Sequence, residues 1–594
     1  MIIMGINAFE EKPSACLLVD GKLKRFCEED KFTRLKGSYG HFPINATRWC
    51  LRSEGVSLKA VDRIAVSWGC DKYPYRMLGR LAGIKLVSMF GGHRTAGSDN
   101  GLFDGFGYLY THSPGNMRRK IRDSLRMGGF TEPVPEIVFV EHHLSHAYQA
   151  FFQSPFENAS VLVADGSGED KCVSGFHFCS GQCKKIFAVD IPFSLGWFFA
   201  GFTAYLGFRP NMDEGKLMGL AAYGEERKNN NAWIERFERI IRRSESGCEV
   251  DADFFKFGRK SFHPKFTDRL ANYIMSFDKN LPPLGMHNHD IHLKTDYVDI
   301  AYAVQYHLES VVQRLARRLV DATGCGNLCC SGGIFMNCKL NGSLHDTAGI
   351  ENLFVHPASS DDGASIGAAL YVSDGSGQSP RNPLQNVQYG PRYGNDEVEE
   401  ILKTCHISYT KPTDIGREVA KIISRQQTAG WFHGGVEMGA RALGGRSILA
   451  YPGNPKIKDA LNARIKFREM WRPYCPSLPK ENRAAYFEKP IETPFMVVAR
   501  SATAAMKKKA PSVVHVDGST RPQTVDKKIL PQWHHMIESL TDFGLDPIVL
   551  NTSFNIRGEP IVCSPYDAIR TFFASGLDAL AMEDCLIIKQ SRGE

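Results

Sequence analysis

The chain has no strong excess of either charge, no C-x-x-C cysteine pair, no charged leader and only one long uncharged run. Each absence closes a class. Its 72 basic and 65 acidic residues leave a formal net charge of +7, too little for a surface that coats nucleic acid, so any basic character that matters is local. Sixteen cysteines are scattered over 594 residues. Cys329 and Cys330 are adjacent, and neighbouring cysteines rarely pair, so the pattern reads as buried free thiols in a reducing compartment. The opening segment Met1 to Asn7 lacks a basic flank and a small-residue cleavage site, unlike a signal peptide. The uncharged run, Ile191 to Phe208, has the length of a membrane span. It also carries Pro192, Ser194, Gly196, Gly201, Thr203 and Gly207 and has no companion segment. A buried helix or gate beside a ligand site is expected there, and a cytoplasmic protein without a membrane partner.

Length calls for two or more domains, and 43% hydrophobic with 23% charged residues is ordinary for a globular chain. Residues 2–7 form an apolar run typical of a buried first strand. A second strand, Ala15 to Val19, meets the hairpin signal Asp20-Gly21, and a third follows from Lys22 to Cys27. The pattern recurs about 145 residues later. Ser160 to Ala164 meets Asp165-Gly166-Ser167-Gly168, then Val173 to Phe178 and Lys185 to Val189 flank Ser180-Gly181. A repeated β-β-β unit predicts a duplicated α/β fold with a cleft between its halves, as in actin-like and sugar-kinase-like ATPases. Apolar residues at helical spacing from Tyr297 to Ala322 predict a long helix. The strand Leu328 to Cys330 then opens into Ser331-Gly332-Gly333, a turn that resembles a nucleotide-cradling corner. Turn residues dominate 373–383, which places a domain boundary there. Lys507-Lys508-Lys509 reads as an exposed loop.

Between Gly435 and Pro476 eight cations meet only three acids, Glu437, Asp459 and Glu469. Arg441, Arg446, Lys466, Arg468 and Arg472 lie closest to the motif cores and alternate with apolar residues such as Leu443, Ile465 and Trp471. Guanidinium forks, lysines and glycine-rich backbone are what a protein uses to hold phosphate and other small oxyanions. An anion pocket fits this segment better than a solvated basic face.

His142 and His146 stand at i, i+4, one above the other on a helix face, a spacing that suits two imidazoles on one metal. Carboxylates at turn positions, Asp165 and Asp361, supply the missing donors. Two histidines with carboxylates and open positions favour Fe(II) over a closed structural zinc site. His143 points off that face and reads as a packing or supporting residue.

These segments together resemble the O-carbamoyltransferases of natural-product biosynthesis, the family of the nodulation-factor, cephamycin and tobramycin carbamoyltransferases. The resemblance rests on Glu-His-His-Leu-Ser-His (141–146), Val-Ala-Asp-Gly-Ser-Gly-Glu (163–169), Lys-Leu-Met-Gly-Leu-Ala-Ala-Tyr-Gly (216–224) and Ser-Gly-Gly-Ile-Phe-Met-Asn (331–337). It continues through Ala-Arg-Ala-Leu-Gly-Gly-Arg-Ser (440–447), Lys-Phe-Arg-Glu (466–469), Arg-Pro-Tyr-Cys-Pro-Ser (472–477) and Leu-Asn-Thr-Ser-Phe-Asn (550–555). It implies an actin-like metalloprotein domain over residues 1–375 and a YrdC-like α/β domain over 388–594. The implied chemistry converts ATP, with Mg(II), and carbamoyl phosphate into carbamoyl adenylate. The carbamoyl group then passes to a hydroxyl of a small-molecule acceptor in antibiotic or other secondary metabolism. Arg441, Lys466 and Arg472, with His142, are the implied catalytic residues. Arg521, Asn551 and Ser553 join the carbamoyl-phosphate and nucleotide pocket, Asn551 and Ser553 as hydrogen-bond donors to the carbamoyl group, with Ser331, Gly332, Gly333, Asp165 and Gly166 on the nucleotide side. His142, His146, Asp165 and Asp361 are the implied iron ligands.

The chain departs from the family where a His-Asp pair usually precedes the first hairpin; it reads Glu10-Glu11-Lys12. The usual proline before Arg441 is Ala440. Residues 73–127 match no familiar pattern, and read equally as a wall of the acceptor pocket or a surface insertion. Three other readings stand beside the main one: a sugar or acyl kinase, a threonylcarbamoyl-type tRNA-modifying enzyme, and a nucleotide sensor without turnover. The kinase reading leaves the histidine pair and the C-terminal cations unexplained. The general base, the acceptor and the choice of O- or N-carbamoylation are not legible, and a homodimer is a guess.

Overall fold

A computed structural model describes residues 1–71, 110–244, 247–256, 265–285, 293–378 and 381–589. Its first sheet is built from β1 (Ile2–Asn7), β2 (Ser14–Val19), β3 (Lys22–Glu28), β4 (Arg63–Val66) and β5 (Glu136–Phe139), in the order β3-β2-β1-β4-β5. The second is built from β6 (Ala159–Gly168), β7 (Lys171–Cys179), β8 (Gln182–Asp190), β11 (Asn327–Ser331) and β12 (Asn352–Val355), in the order β8-β7-β6-β11-β12. A short ribbon of β9 (Ile241–Ser244) and β10 (Gly247–Val250) lies between β8 and β11 in sequence. In each sheet three antiparallel strands are followed by two parallel ones. The repeat expected of an actin-like duplication is therefore present as topology.

One equivalence in the sequence reading needs correction. Asp20 and Gly21 make the β2–β3 turn with φ of 50° and 74°, as a tight hairpin requires. Their counterparts are Ser180 and Gly181, at 51° and 74° between β7 and β8. Asp165-Gly166 is not a hairpin turn. It lies inside β6, where the register shifts between Ala164 and Gly168, and the chain reverses at Glu169. A bulge of this kind re-aims a side chain. The position matching Asp165 in the first unit is Asn7, also at the end of its opening strand.

Helices His142–Phe152 and Asp361–Asp374 fill the space between the two sheets, in a core shared with Val161, Val163, Ile3 and Cys16. The helix predicted from Tyr297 runs from Thr295 to Thr323, and its apolar stripe, from Ala301 to Leu319, is buried. Leu195–Tyr205 is the buried helix expected of the uncharged run. Among the described residues no helix is long and apolar enough to cross a membrane.

The third sheet is mixed and seven-stranded. It contains β13 (Ala429–Phe432), β14 (Arg446–Ala450), β15 (Cys475–Pro479), β18 (Gln523–Val525), β19 (Val549–Ser553), β20 (Ala579–Met582) and β21 (Cys585–Ile588), in the order β18-β15-β19-β14-β13-β20-β21. A ribbon of β16 (Arg500–Ser501) and β17 (Ser519–Thr520) flanks it. Apolar cores cover both faces. The three lysines 507–509 end a short helix, Ala504–Lys509, rather than forming a loop; they are exposed, as read. No cysteine is in a disulfide, though Cys179 is exposed and Cys183, Cys325 and Cys405 are half-buried, so not every thiol is inside. Residues 73–109 lie outside the described residues; the rest of that segment leads into the helix Pro114–Met127.

The C-terminal sheet and the two N-terminal sheets share a polar and apolar seam. Arg34 donates to the carbonyls of Ile561 (2.7 Å) and Pro560 (2.9 Å) and faces Asp567 (3.3 Å). Lys339 pairs with Asp517 at 2.6 Å. Trp471 is buried within the N-terminal core beside Phe208 and Leu220. Truncating so large a buried ring removes transfer free energy and leaves a void. Trp471→Ala is expected to cost about 3 kcal/mol, with Trp471→Phe recovering most of it. Urea unfolding of the full chain measures both.

Candidate functional site

Strand β5 leads directly into the helix that begins at His142, which carries His142 and His146 inward one turn apart. Glu169, at the reversal after β6, caps that helix. Its Oε1 accepts from His142 N at 2.9 Å and from Gly69 N at 2.6 Å. Asp165 arrives from the bulge of β6 and Asp361 from the first turn of its helix. The four donors converge. His142 Nε2 and His146 Nε2 are 3.2 Å apart. Asp165 Oδ2 lies 3.6 and 3.3 Å from them, and Asp361 Oδ1 3.6 and 3.8 Å.

The partners behind the imidazoles decide what this cluster wants. His142 Nδ1 faces the Ser67 carbonyl at 3.2 Å, so it donates there and its Nε2 presents a lone pair. His146 Nδ1 meets Ser331 Oγ at 3.0 Å, and that hydroxyl passes its own proton to Gln149 Oε1 or the Ser359 carbonyl. Gln149 and His356 continue the network: Gln149 Nε2 donates to His356 Nδ1 at 2.7 Å, and His356 Nε2 donates to Gln153 Oε1 at 2.7 Å. Burial lowers His356 to about 3, so it stays neutral. Gly332, at φ 106°, lets this turn pass against the Ala164 backbone, where a side chain has no room.

Two imidazole Nε2 atoms and two carboxylate oxygens thus face one another out of water, with only protons or a cation able to relieve them, and Asp165 Oδ2 has no hydrogen-bond donor. Burial pushes both imidazoles down and both carboxyls up, but the contacts among them win. The imidazoles are held above, and the carboxylates below, their ordinary ranges. A divalent cation satisfies all four at once, and the hydrogen-bonded Nδ1 atoms orient the rings for it. The residues present fit a metal ion. His143 stays outside the set, with Nδ1 on Ser174 Oγ at 2.9 Å.

The second cluster lies where the two halves meet. Arg441 is carried by the loop between β13 and β14. Glu437 folds that loop, its Oε1 accepting from Leu443 N (2.9 Å), Gly445 N (2.6 Å) and Arg446 N (3.0 Å). Arg441 donates to the Met336 carbonyl at 3.4 Å. Arg521 donates to Cys475 Sγ at 3.0 and 3.2 Å. Among the described residues neither guanidinium has a carboxylate partner. Burial and Arg521 lower Arg441 to about 10; burial and Arg468 lower Arg472 to the same value. Lys466 ends a π-turn, and its ammonium is gripped by Asn555 Oδ1 (2.7 Å) and by the Ser553 and Asn555 carbonyls. Burial, then Arg468, Arg472 and Lys36, drive it well below the ordinary lysine range.

The structure separates the sequence-picked residues into those that face this pocket and those that build it. Arg446 is fully buried, its guanidinium 3.5 Å over the Phe432 ring and bonded to carbonyls, so it is scaffold. Asn551 spends its NH₂ on the Ala442 carbonyl (3.0 Å) and Ser477 Oγ (2.9 Å), leaving Oδ1 as the open atom. It offers an acceptor, not the donor expected. Ser553 Oγ donates to Asn555 Oδ1 at 2.8 Å. Ser331 and Gly332 serve the metal cluster's back side, Gly333 packs near Asp165 Oδ1, and Gly166 lies under the helix at Ser194. Sequence reasoning missed Lys36, from the N-terminal half, whose ammonium is held below its ordinary range by desolvation and by the nearby Arg472. It also missed Ser67, Gln149 and Glu169, set by long-range contact, and Glu437, whose partners Leu443, Gly445 and Arg446 lie within its own loop. Glu169 alone had a signal, at the end of the 163–169 motif.

Fold and clusters together define a class: an α/β protein with a four-donor cluster that fits a divalent cation in one half and a cation-rich pocket at the junction with the other. The chain matches the carbamoyltransferase N-terminus over residues 2–370 and the carbamoyltransferase C-terminus over 420–589. It is 33% identical to nodulation protein NolNO of Sinorhizobium fredii, over 98% of this chain and 80% of that one. It is 32% identical to an uncharacterised protein of Synechocystis, over 99% and 97%. The chain belongs to the carbamoyltransferase family and is an enzyme of that class. Among solved structures it is similar to component A of the (R)-2-hydroxyglutaryl-CoA dehydratase of Acidaminococcus fermentans (16% identity, TM-score 0.33, 64% of this chain and 99% of that one). It is also similar to the ROK hexokinase of Thermus thermophilus (12%, 0.31, 64% and 100%). These structural likenesses are weak.

Purified protein is expected to retain one divalent ion per chain through dialysis without chelator. His146→Ala and Asp165→Ala lose it, and Ser331→Ala, which removes the ring's hydrogen-bond partner, weakens retention by about 10- to 100-fold. Metal analysis of dialysed protein reads all three; retention by His146→Ala would refute the ligand set.

Proposed function

We propose that the enzyme forms carbamoyl adenylate from ATP and carbamoyl phosphate at the Arg441 pocket, in a YrdC-like domain over 388–594. It then transfers the carbamoyl group to a hydroxyl of a small natural-product acceptor at the four-donor cluster, in an actin-like domain over 1–375. The family implies both co-substrates. The observation that carries the reading is a set of cations at a domain junction, Arg441, Arg521, Lys466 and Arg472. Among the described residues only Arg472 of these faces a carboxylate, Glu469 at 3.7 Å, so that an anionic substrate is the missing partner of the rest. Buried like charges of this density are costly until an anion arrives.

In the first step ATP, carbamoyl phosphate and one water give carbamoyl adenylate, pyrophosphate and phosphate. Side chains need to neutralise and align rather than react. Arg441 and Arg521 offer forks for oxyanions, Lys466 and Lys36 point charges, and Asn551 Oδ1 accepts from the carbamoyl NH₂. In the second step the acceptor oxygen attacks the carbamoyl carbon, AMP departs, and the acceptor proton passes to a base. Glu11 and Lys12 border that site: Asn7 Nδ2 donates to both their carbonyls, at 2.8 and 3.2 Å, and Asn7 Oδ1 accepts from Ser67, whose carbonyl orients His142. Burial and Asp361 raise the Glu11 carboxyl to about 8. A divalent ion on His142, His146, Asp165 and Asp361, with Fe(II) suited to this donor set, supplies Lewis-acid polarisation.

Pyrophosphate release from Mg-ATP is expected only when carbamoyl phosphate is present. Lys466→Ala and Arg472→Ala are each expected to slow it on the order of 100-fold while circular dichroism is unchanged. ADP release in place of pyrophosphate would overturn the reading.

A further inference from the structure

The loop that carries Arg441 is held from both sides of the domain junction. Glu437 closes it from within, as described. From the N-terminal half, Glu28 at the end of β3 reaches across: its Oε1 accepts from Gly439 N at 2.7 Å. This carboxylate is buried (5% exposed), and its other oxygen faces Lys31 at 3.7 Å without a hydrogen bond. Lys31 is buried too and is anchored on Asp30 at 2.9 Å. Gly439 has φ of 83°, and a Cβ there would lie 2.7 Å from the Pro357 carbonyl. The Arg441 loop therefore rests directly on the turn that, three residues on, begins the helix of Asp361 through Ser360. A buried carboxylate spent on one backbone N–H of another domain is a costly arrangement for mere adhesion, because the charge must be desolvated.

We propose that Glu28 is a positioning residue, which pins the Arg441 loop to the Pro357–Asp361 turn so that one contact sets the spacing of the two sites. The proposal rests on the reading of Arg441 as an anion-pocket residue. What matters in it is reach, not charge: a hydrogen-bond acceptor at the right length from β3. Two variants separate these, and neither opens a large cavity. Glu28→Gln keeps the length and an acceptor oxygen but loses the charge. Glu28→Asp keeps the charge and is one methylene short of Gly439 N.

The test follows carbamoyl-phosphate-dependent pyrophosphate release by the full-length protein, with hydrogen exchange of the peptide spanning Gly439. Glu28→Asp is expected to raise KM for carbamoyl phosphate about tenfold, with KM for ATP unchanged within about twofold, and to speed exchange at Gly439. Glu28→Gln is expected to match the wild type in all three. Loss in Glu28→Gln with a normal Glu28→Asp, equal loss in both, or no effect in either overturns the proposal. Arg441→Ala is the separate check on the premise. If its KM for carbamoyl phosphate is unchanged, the pocket reading fails, whatever Glu28 does. If it rises while Glu28→Asp behaves as wild type, only the role of Glu28 fails.

Discussion

The constraint on which the N-terminal half turns is that two carboxylates and two imidazole lone pairs are packed against one another away from water. Such a set is stable only with positive charge among its members, from protons or from a cation. The surrounding architecture exists to keep it assembled. The bulge in β6 aims Asp165, Glu169 fixes the first turn of the histidine helix, and Ser67 and Ser331 hold the two rings by their outer nitrogens. The duplicated sheets bring these pieces from residues 67, 142, 165, 331 and 361 to one place, because in each unit the parallel strands end at the same edge.

The pocket at the junction shows the opposite imbalance. Arg441 finds a carbonyl and Arg521 a thiol where carboxylates would neutralise them. Glu437 is spent on backbone N–H groups, and Glu469 is shared between Lys216 at 2.9 Å and Arg472 at 3.7 Å. A protein that leaves cations this bare keeps their field for a ligand. The four-donor cluster suits a cation and the guanidinium pocket an anion, and the segment from Ser331 to Met336 lies between them.

Legibility from sequence followed the range of the interactions. Strands with hairpin turns, the 29-residue helix Thr295–Thr323 and the i, i+4 histidines are local patterns, and each was readable. Asp165 was found by residue type, but its setting was misjudged, because a bulge inside a strand and an Asp-Gly turn look alike in one dimension. Asn551 was found and its open atom inverted, since which end of an amide is spent depends on Ala442 and Ser477, 109 and 74 residues away. Lys36 and Glu28 carry no motif-level signal for a pocket built mainly by the other half. The position of a lone lysine or glutamate after a hairpin says nothing of what docks on it.

The wall between the sites is also what joins them. Met336, whose carbonyl accepts from Arg441, lies five residues after Ser331, whose hydroxyl orients His146. Between them Gly332 packs on Ala164, next to the ligand Asp165. A shift of the Arg441 loop is thereby passed along a short, largely buried segment to two of the four converging donors, His146 and Asp165. Packed interiors transmit displacement instead of absorbing it. The arrangement suits the proposed adenylate, which must not meet water. The Arg441 loop and the four-donor cluster are tied through a segment a few residues long and the hydrogen bond and packing contact at its end, without the need for a moving domain.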